Sequence, residues 1–147
     1  MTEVQPADAW RSFVLTAQLL EATLDRQMQR EAGMPHAYYG VLIALYESPG
    51  RERRMGDLAE QLRYSQSRLA HAVSSMERSG WVERGRGVDD RRVITVRLTH
   101  DGLRVIRRVA PKQAREVRDA LFARLSASEL AAFDATCRTL LEELDAR

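Results

Sequence analysis

The sequence predicts a mainly α-helical fold with one small β-hairpin and long helices at both ends. Two observations lead to this prediction. Apolar residues recur in steps of three and four through most of the chain, which is the period of a helix face. The stretch ITVRL at 94–98 instead alternates apolar and polar residues, as a half-buried strand does. A length of 147 residues fits one domain, or one small domain joined to an oligomerisation element.

Two helices are predicted before residue 50. The first runs from 7 to about 31 and is ended by Gly33. Its apolar stripe consists of Trp10, Phe13, Ala17, Leu20 and Leu24. The second helix follows Pro35 and runs to about 47, where the stretch SPG stops it. Its inner face consists of Tyr38, Val41, Leu42 and Leu45.

Residues 55–79 predict two short helices joined by a tight turn, the stretch RYS at 63–65. Ser65 is placed to cap the second helix, and Gly80 is placed to end it. The buried positions are Leu58, Ala59 and Leu62 in the first helix, and Leu69, Val73 and Met76 in the second. This pair of helices has the spacing of a helix-turn-helix.

A hairpin is predicted next, because Val82 precedes a loop rich in arginine and glycine, and the alternating stretch at 94–98 follows it. Five arginines crowd into it: Arg84, Arg86, Arg91, Arg92 and Arg97. Like charges repel, and the stretch is too short to bury anything around them. We therefore expect a polyanion outside the chain to neutralise these side chains.

Two more helices complete the chain. One begins at Thr99 and contains Pro111, which we expect to kink it. The other begins at Ser126, which is placed to form a capping box with Glu129. Their apolar positions are Leu103, Ile106, Val109, Val117 and Leu121, then Leu130, Phe133, Cys137, Leu140, Leu141 and Leu144.

The terminal helices carry more apolar surface than a small central region can cover. We therefore expect a homodimer, with residues 1–33 and 103–147 as a helical dimerisation region and residues 34–102 as the remaining lobe. A self-contained helical bundle is the alternative.

Charge is distributed unevenly along the chain. The net charge is only +2, yet residues 51–118 contain 17 Lys or Arg against 9 Asp or Glu, while the rest contains 6 against 12. A basic centre between acidic ends is typical of a polyanion-binding segment. All basic residues except Lys112 are arginines. The planar guanidinium of arginine forms two parallel hydrogen bonds with a phosphate or with the edge of a guanine base.

Together, the helix-turn-helix and the basic hairpin have the order of a winged helix-turn-helix, in which the second helix enters the DNA major groove. Eight residues of that helix remain outward once the core positions are removed. They are Ser65, Gln66, Ser67, Arg68, Ala70, His71, Ser74 and Ser75. A plain solvated helix face is the alternative for these residues alone.

The sequence resembles the MarR family of bacterial transcription regulators. The resemblance rests on four motifs within residues 55–102: LAEQL, the S-x-S-x-L start at 65–69, ERSGWVER, and DDRR followed by V-x-L-T-x-x-G. GMPHAYYGVL at 33–42 resembles the second helix of the family, with proline where Ser or Thr is commoner. The resemblance implies a symmetric dimer whose terminal helices form the interface, with two DNA-binding lobes.

The resemblance also implies which residues contact DNA. It assigns the recognition helix contacts to Ser65, Gln66, Ser67, Arg68, His71 and Ser74. It assigns the wing contacts to Arg84, Arg86, Asp90, Arg91 and Arg92. We expect Arg92 to enter a narrow minor groove, where negative potential is concentrated, and Asp90 to brace Arg92 rather than touch DNA.

The family resemblance further implies a small aromatic or acidic effector between the dimer base and the lobes. The residues available to line such a site are Trp10, Phe13, His36, Tyr38 and Tyr39, for which an ordinary core position is the alternative. The three histidines are scattered, so no metal site or cofactor is expected. Cys137 lies on an apolar stripe, and we expect it to be packed rather than to sense oxidants.

We therefore expect a DNA-binding transcriptional regulator that represses from a palindromic operator as a homodimer and is released by an effector. A non-specific architectural DNA-binding protein is the alternative. The sequence contains no pairing of a nucleophile with a base, no metal-ligand spacing and no phosphate-binding loop, so nothing in it indicates an enzyme. No apolar run approaches the length of a membrane span, the first ten residues do not resemble a secretory signal, and we expect a cytoplasmic location.

Overall fold

The computed structural model describes residues 3–147. They form two compact units, residues 3–113 and 114–147. The helices are α1 (Pro6–Ala32), α2 (His36–Tyr46), α3 (Met55–Leu62), α4 (Gln66–Arg78), α5 (His100–Val117) and α6 (Ala127–Asp145). The strands are β1 (Glu52–Arg54), β2 (Val82–Arg86) and β3 (Ile94–Leu98). The mainly α-helical prediction with one small hairpin is confirmed, with one additional short strand.

Helix α1 begins and ends as the sequence predicts. A proline occupies its first turn, where the missing N–H costs nothing. Gly33 ends it in the left-handed conformation and donates its N–H to the Gln29 carbonyl at 2.9 Å. Near that end, Asp25 accepts a hydrogen bond from the backbone N–H of His36 at 2.9 Å, which fastens the start of α2 onto α1.

The helix-turn-helix consists of α3, α4 and the three residues between them. Arg63 ends α3 in the left-handed conformation, with φ 53°. Ser65 then caps α4, because its Oγ accepts the N–H of Arg68 at 3.1 Å. The predicted core positions of α4 are buried, and Ala72 is buried with them. The tight turn at 63–65 and the Ser65 cap therefore fix the start of α4, as the sequence predicts.

The sheet has three antiparallel strands in the order β1-β3-β2. The predicted hairpin is β2 and β3, whereas β1 was not predicted, because three charged residues carry no apolar alternation. β3 is the central strand, so Thr95 lies between Arg54 and Gly85 and is buried. Ile94 was predicted to face inward but is 39 % exposed, because it opens β3 at the wing end of the sheet.

Helix α5 starts beside the sheet. Thr99 Oγ1 accepts the N–H of Gly102 at 3.1 Å and donates to the Gly80 carbonyl at 2.6 Å. Its apolar residues up to Val109 are buried, and the helix continues through Pro111. No helix among residues 3–147 is long and apolar enough to cross a membrane.

The second unit contains the end of α5, a π-helical turn at Arg118–Phe122, and α6. The predicted capping box is present: Ser126 Oγ accepts the N–H of Glu129, and the Glu129 carboxylate accepts the N–H of Ser126 at 2.8 Å. Helix α6 has no buried residue. Its exposed large apolar residues are Leu130, Phe133, Leu140, Leu141 and Leu144.

Candidate nucleic-acid interface

The first turns of α4 present a polar face to solvent. Five of the six recognition-helix residues predicted from the sequence are exposed: Ser65, Gln66, Ser67, Arg68 and His71. Ser74 is half-buried and bonded within the protein, so it lies at the edge of this face. Short polar side chains around a capped helix start allow the backbone to approach bases closely in a major groove.

Arg68 stacks on the ring of Tyr64, a residue that was not predicted to be part of the site. Its guanidinium carbon lies 3.9 Å from the centre of the Tyr64 ring, which is a cation–π contact. The Tyr64 hydroxyl lies 3.3 Å from the Ala37 carbonyl oxygen, to which it donates. The spacing RYSQSR places an aromatic residue four positions before an arginine, and this spacing across the cap was the available signal.

Arg84 joins β2 to α4. Its guanidinium donates to Glu77 Oε1 at 2.8 Å, to Ser74 Oγ at 2.9 Å and to the Ala70 carbonyl at 3.2 Å. Its backbone N–H donates to Glu77 Oε2 at 3.0 Å. The pKa of the Glu77 carboxyl is held below its ordinary value by the hydrogen bonds from Arg84, of which the backbone bond has the larger effect and the guanidinium bond the smaller. Glu77 was not predicted as part of the site.

The expectation that all five hairpin arginines require an external partner is wrong for three of them, one of which is Arg92, paired with Asp90 at the wing tip. Arg84 pairs with Glu77, and Arg97 pairs with Glu83 across the two strands. Cross-strand neighbours of opposite charge stabilise a sheet, and this was missed because strand register is not readable from the loop sequence. The assignment of Arg84 as a DNA contact stays a prediction, and its contacts favour a role in positioning the wing.

The wing turn between β2 and β3 is closed by its own backbone. The N–H of Gly87 donates to the Val93 carbonyl at 2.9 Å, and the N–H of Val93 donates to the Asp90 carbonyl at 3.1 Å. A Cβ at Gly87 would lie 2.6 Å from the Asp90 oxygen, so only glycine fits there. The turn is therefore a defined structure that projects from the sheet.

At the wing tip, Asp90 braces Arg92 as predicted. Asp90 Oδ1 accepts the backbone N–H of Arg92 at 3.0 Å and its Nε at 3.1 Å, and Oδ2 accepts Nη2 at 3.1 Å. The Arg92 side chain is nevertheless 92 % exposed. Its guanidinium thus has a fixed direction and still offers donors to solvent.

The wing and the recognition helix share one cleft. Gln66, at the start of α4, and Arg92, on the wing, both line a depression of about 360 Å³. Arg86 and Arg91 are exposed on the same hairpin, with the Arg86 guanidinium 3.5 Å from the Arg91 carbonyl. The structure therefore brings the start of α4 and the wing arginine Arg92 to one cleft.

The residues considered for an effector site lie at two places, near the start of α1 and where α1 meets α2. His36 is half-buried, lies 3.2 Å from Glu21 and stacks on the buried Tyr39 at 6.4 Å between ring centres. Trp10 and Phe13 are exposed near the start of α1, and Trp10 is roughly 16 Å along the helix from Glu21. Residues 3–147 contain no cluster of metal-ligating side chains.

Comparison with known proteins agrees with this geometry. The sequence profile of the MarR family matches residues 32–93. The crystal structure of a MarR family transcriptional regulator from Streptomyces coelicolor in complex with DNA is 42% identical, with a TM-score of 0.92 over 98% of this chain and 92% of that one. AbsC, a MarR family transcriptional regulator of the same organism, is 31% identical with a TM-score of 0.91 over 100% of both chains. The transcriptional repressor MprA of Escherichia coli is 27% identical over 119 residues, 81% of this chain and 67% of that protein.

Proposed function

This chain belongs to the MarR family of transcriptional regulators, and from that premise we propose that it recognises a palindromic DNA operator as a homodimer and represses transcription there. Repression would follow from a site that overlaps a promoter. The name of the relative MprA, a transcriptional repressor, supports this sign of regulation. The DNA in the crystal structure of the Streptomyces coelicolor relative supports duplex DNA as the ligand.

One observation carries the proposal: an exposed, capped recognition helix and a braced, exposed wing arginine face one cleft. A helix start fits the major groove, and an arginine fits a narrow minor groove. One module with both elements reads base edges and also groove shape, which is the requirement for sequence specificity. A merely basic surface would need neither the Ser65 cap nor the Asp90 brace.

The proposal of a dimer rests on apolar surface at both ends of the chain. Trp10, Phe13 and Leu19 are more than half exposed on α1, as are Leu141 and Leu144 on α6. Large apolar patches on a protein surface mark interfaces. We propose that residues 1–33 and 103–147 form the dimer interface. Two-fold symmetry would then set the half-sites about 34 Å apart, one turn of duplex.

Selection of bound duplexes from a random pool tests the specificity. The expected result is an inverted repeat bound about a thousandfold or more tightly than random duplex at the same salt. Arg92→Ala is expected to weaken operator binding strongly while leaving the melting temperature and oligomeric state unchanged. If no motif is enriched and all duplexes bind alike, the protein is a non-specific architectural binder.

Sedimentation tests the dimer. Wild-type protein is expected to be dimeric at micromolar concentration, and Leu141→Glu is expected to shift it toward monomer. Thr139→Glu adds the same charge to α6 at an exposed polar position and is expected to leave the dimer intact. If the wild-type protein were monomeric, the proposal of a palindromic operator would be wrong, because the palindrome follows from the two-fold symmetry of a dimer.

A further inference from the structure

We propose that Arg68 reads a guanine in the major groove of each half-site and that Tyr64 is the residue that positions it. The inference rests on the proposed function, because it concerns the DNA that the recognition helix contacts. It adds the base identity and a positioning residue outside that helix. The chemical partner is the O6 and N7 edge of guanine, which accepts two parallel hydrogen bonds from a guanidinium.

The guanidinium donors of Arg68 differ from those of the other arginines on this surface. Of the arginines placed on this surface, Arg84 donates to three protein acceptors and Arg92 donates to Asp90. Among residues 3–147, the Arg68 guanidinium has no hydrogen-bond acceptor and no carboxylate partner. It lies over the face of the Tyr64 ring. All five guanidinium N–H groups of Arg68 are therefore available to a ligand.

Arg68 is the third residue of α4, and its backbone N–H is fixed by Ser65 at 3.1 Å. The N-terminal residues of a recognition helix contact base edges, whereas flanking elements contact the DNA backbone. An arginine at this place reaches a base rather than the DNA backbone.

Tyr64 is held in place by its own contacts. Its ring is half-buried and packs against the hydrophobic core, and its hydroxyl donates to the Ala37 carbonyl. The ring is thus fixed to α2 and is not free to follow Arg68. A free arginine side chain loses rotamer entropy when it binds, and a stacked one has already lost most of it. The ring also leaves the hydrogen-bonding edge of the guanidinium without a competing acceptor.

The experiment uses the full-length protein and the duplex recovered by selection. Binding is measured to that duplex and to duplexes changed at each position, with wild type, Arg68→Ala, Arg68→Lys, Tyr64→Phe and Tyr64→Leu. Arg138→Ala, on α6, controls for the loss of one positive charge. A melting curve for each variant confirms that it is folded.

The expected result is a change at one symmetric pair of positions. Wild type prefers G·C there by about tenfold to a hundredfold, and replacing that guanine by 7-deazaguanine, which lacks N7, weakens binding. Arg68→Ala loses this preference, and Arg68→Lys keeps only part of it, because an ammonium reaches O6 and N7 without the planar fork. Tyr64→Leu loses about two- to fivefold on the G·C duplex alone, whereas Tyr64→Phe, which retains the ring, does not.

Three results would overturn the inference. Arg68→Ala could weaken binding to every duplex equally and reduce the salt dependence, which is the behaviour of a phosphate contact. The selected half-site could contain no position that depends on Arg68. Tyr64→Phe and Tyr64→Leu could behave alike, which would restrict Tyr64 to packing. In each case wild type still selects an operator, whereas failure of the proposed function leaves no operator to select.

Discussion

Asp90 accepts three hydrogen bonds from Arg92, one from the backbone and two from the guanidinium, at 3.0–3.1 Å. The side-chain bonds from Arg92, followed by the backbone bond, hold the pKa of Asp90 below its ordinary value. Two of the five guanidinium N–H groups of Arg92 are used in this way. The side chain is 92 % exposed, so the carboxylate directs the arginine while leaving its other three N–H groups able to bind.

Asp90→Asn is expected to lower the specificity of DNA binding. The amide cannot hold the guanidinium by two charged bonds, so Arg92 becomes mobile and affinity for the operator falls by about three- to tenfold. Affinity for random duplex stays the same or rises, since a negative charge near phosphates has been removed. Binding constants for both duplexes at one salt concentration measure the effect. Asp89→Asn, the same change one residue earlier on an exposed side chain, is the control, and equal behaviour of the two variants would refute the brace.

Arg84→Ala is expected to weaken DNA binding without changing its salt dependence. The guanidinium is bonded to α4, so its loss frees β2 from the recognition helix and lowers the free energy of unfolding by about 1–2 kcal/mol. A phosphate contact behaves differently, because its removal reduces the slope of log K against log salt by about one. The exposed Arg86 is expected to show that slope change on substitution by Ala. A reduced slope for Arg84→Ala would restore Arg84 as a DNA contact.

Glu77 is expected to make folding stability depend on acid pH. Its pKa is lowered in the folded protein from the ordinary 4.5 by the hydrogen bonds from Arg84. A carboxyl with a lowered folded pKa stabilises the protein fully above the unfolded pKa, and this contribution is lost as the pH falls through the folded pKa. Wild type is therefore more stable than Glu77→Gln at pH 6, and the difference shrinks below about pH 4.5. Urea unfolding from pH 7 to pH 3 measures this. Glu60→Gln is the control, and a constant difference between wild type and Glu77→Gln would contradict the prediction.

The parts of the fold that local chemistry specifies were predictable from the sequence. Ser65 and Ser126 cap helices because a hydroxyl at a helix start has few other partners, and both do so. The contact of Asp90 with Arg92 was predictable for a similar reason, since two residues of separation put both groups on one turn.

The parts that depend on distant segments were not predictable in this way. β1 exists only because β3 offers its free edge to residues 52–54, which carry no strand pattern of their own. In the sequence, Arg84 and Arg97 have no evident partner. The fold places Glu77 beside Arg84 and Glu83 beside Arg97. Tyr64 belongs to the same group, because its role depends on the distance from its ring to a side chain on the next helix.

Gly102→Ala is expected to destabilise the fold by about 1–3 kcal/mol. Gly102 is buried in the first turn of α5, and a Cβ there would lie 2.2 Å from the Trp81 carbonyl oxygen and 2.7 Å from Leu98 Cδ1. The carbonyl cannot move away freely, because it also accepts the N–H of Thr99 at 3.0 Å. The start of α5 would have to shift away from the β2–β3 hairpin.

Gly40→Ala is the matched control for that substitution. It changes the same residue type within helix α2, where a Cβ would meet nothing within 4 Å. Since alanine favours a helix interior over glycine, Gly40→Ala is expected to stabilise the protein by about 0.5–1 kcal/mol. Chemical unfolding of the two variants beside wild type measures both signs. If Gly102→Ala were as stable as wild type, the close packing of α5 on the Trp81 backbone would not be what positions the hairpin and its wing.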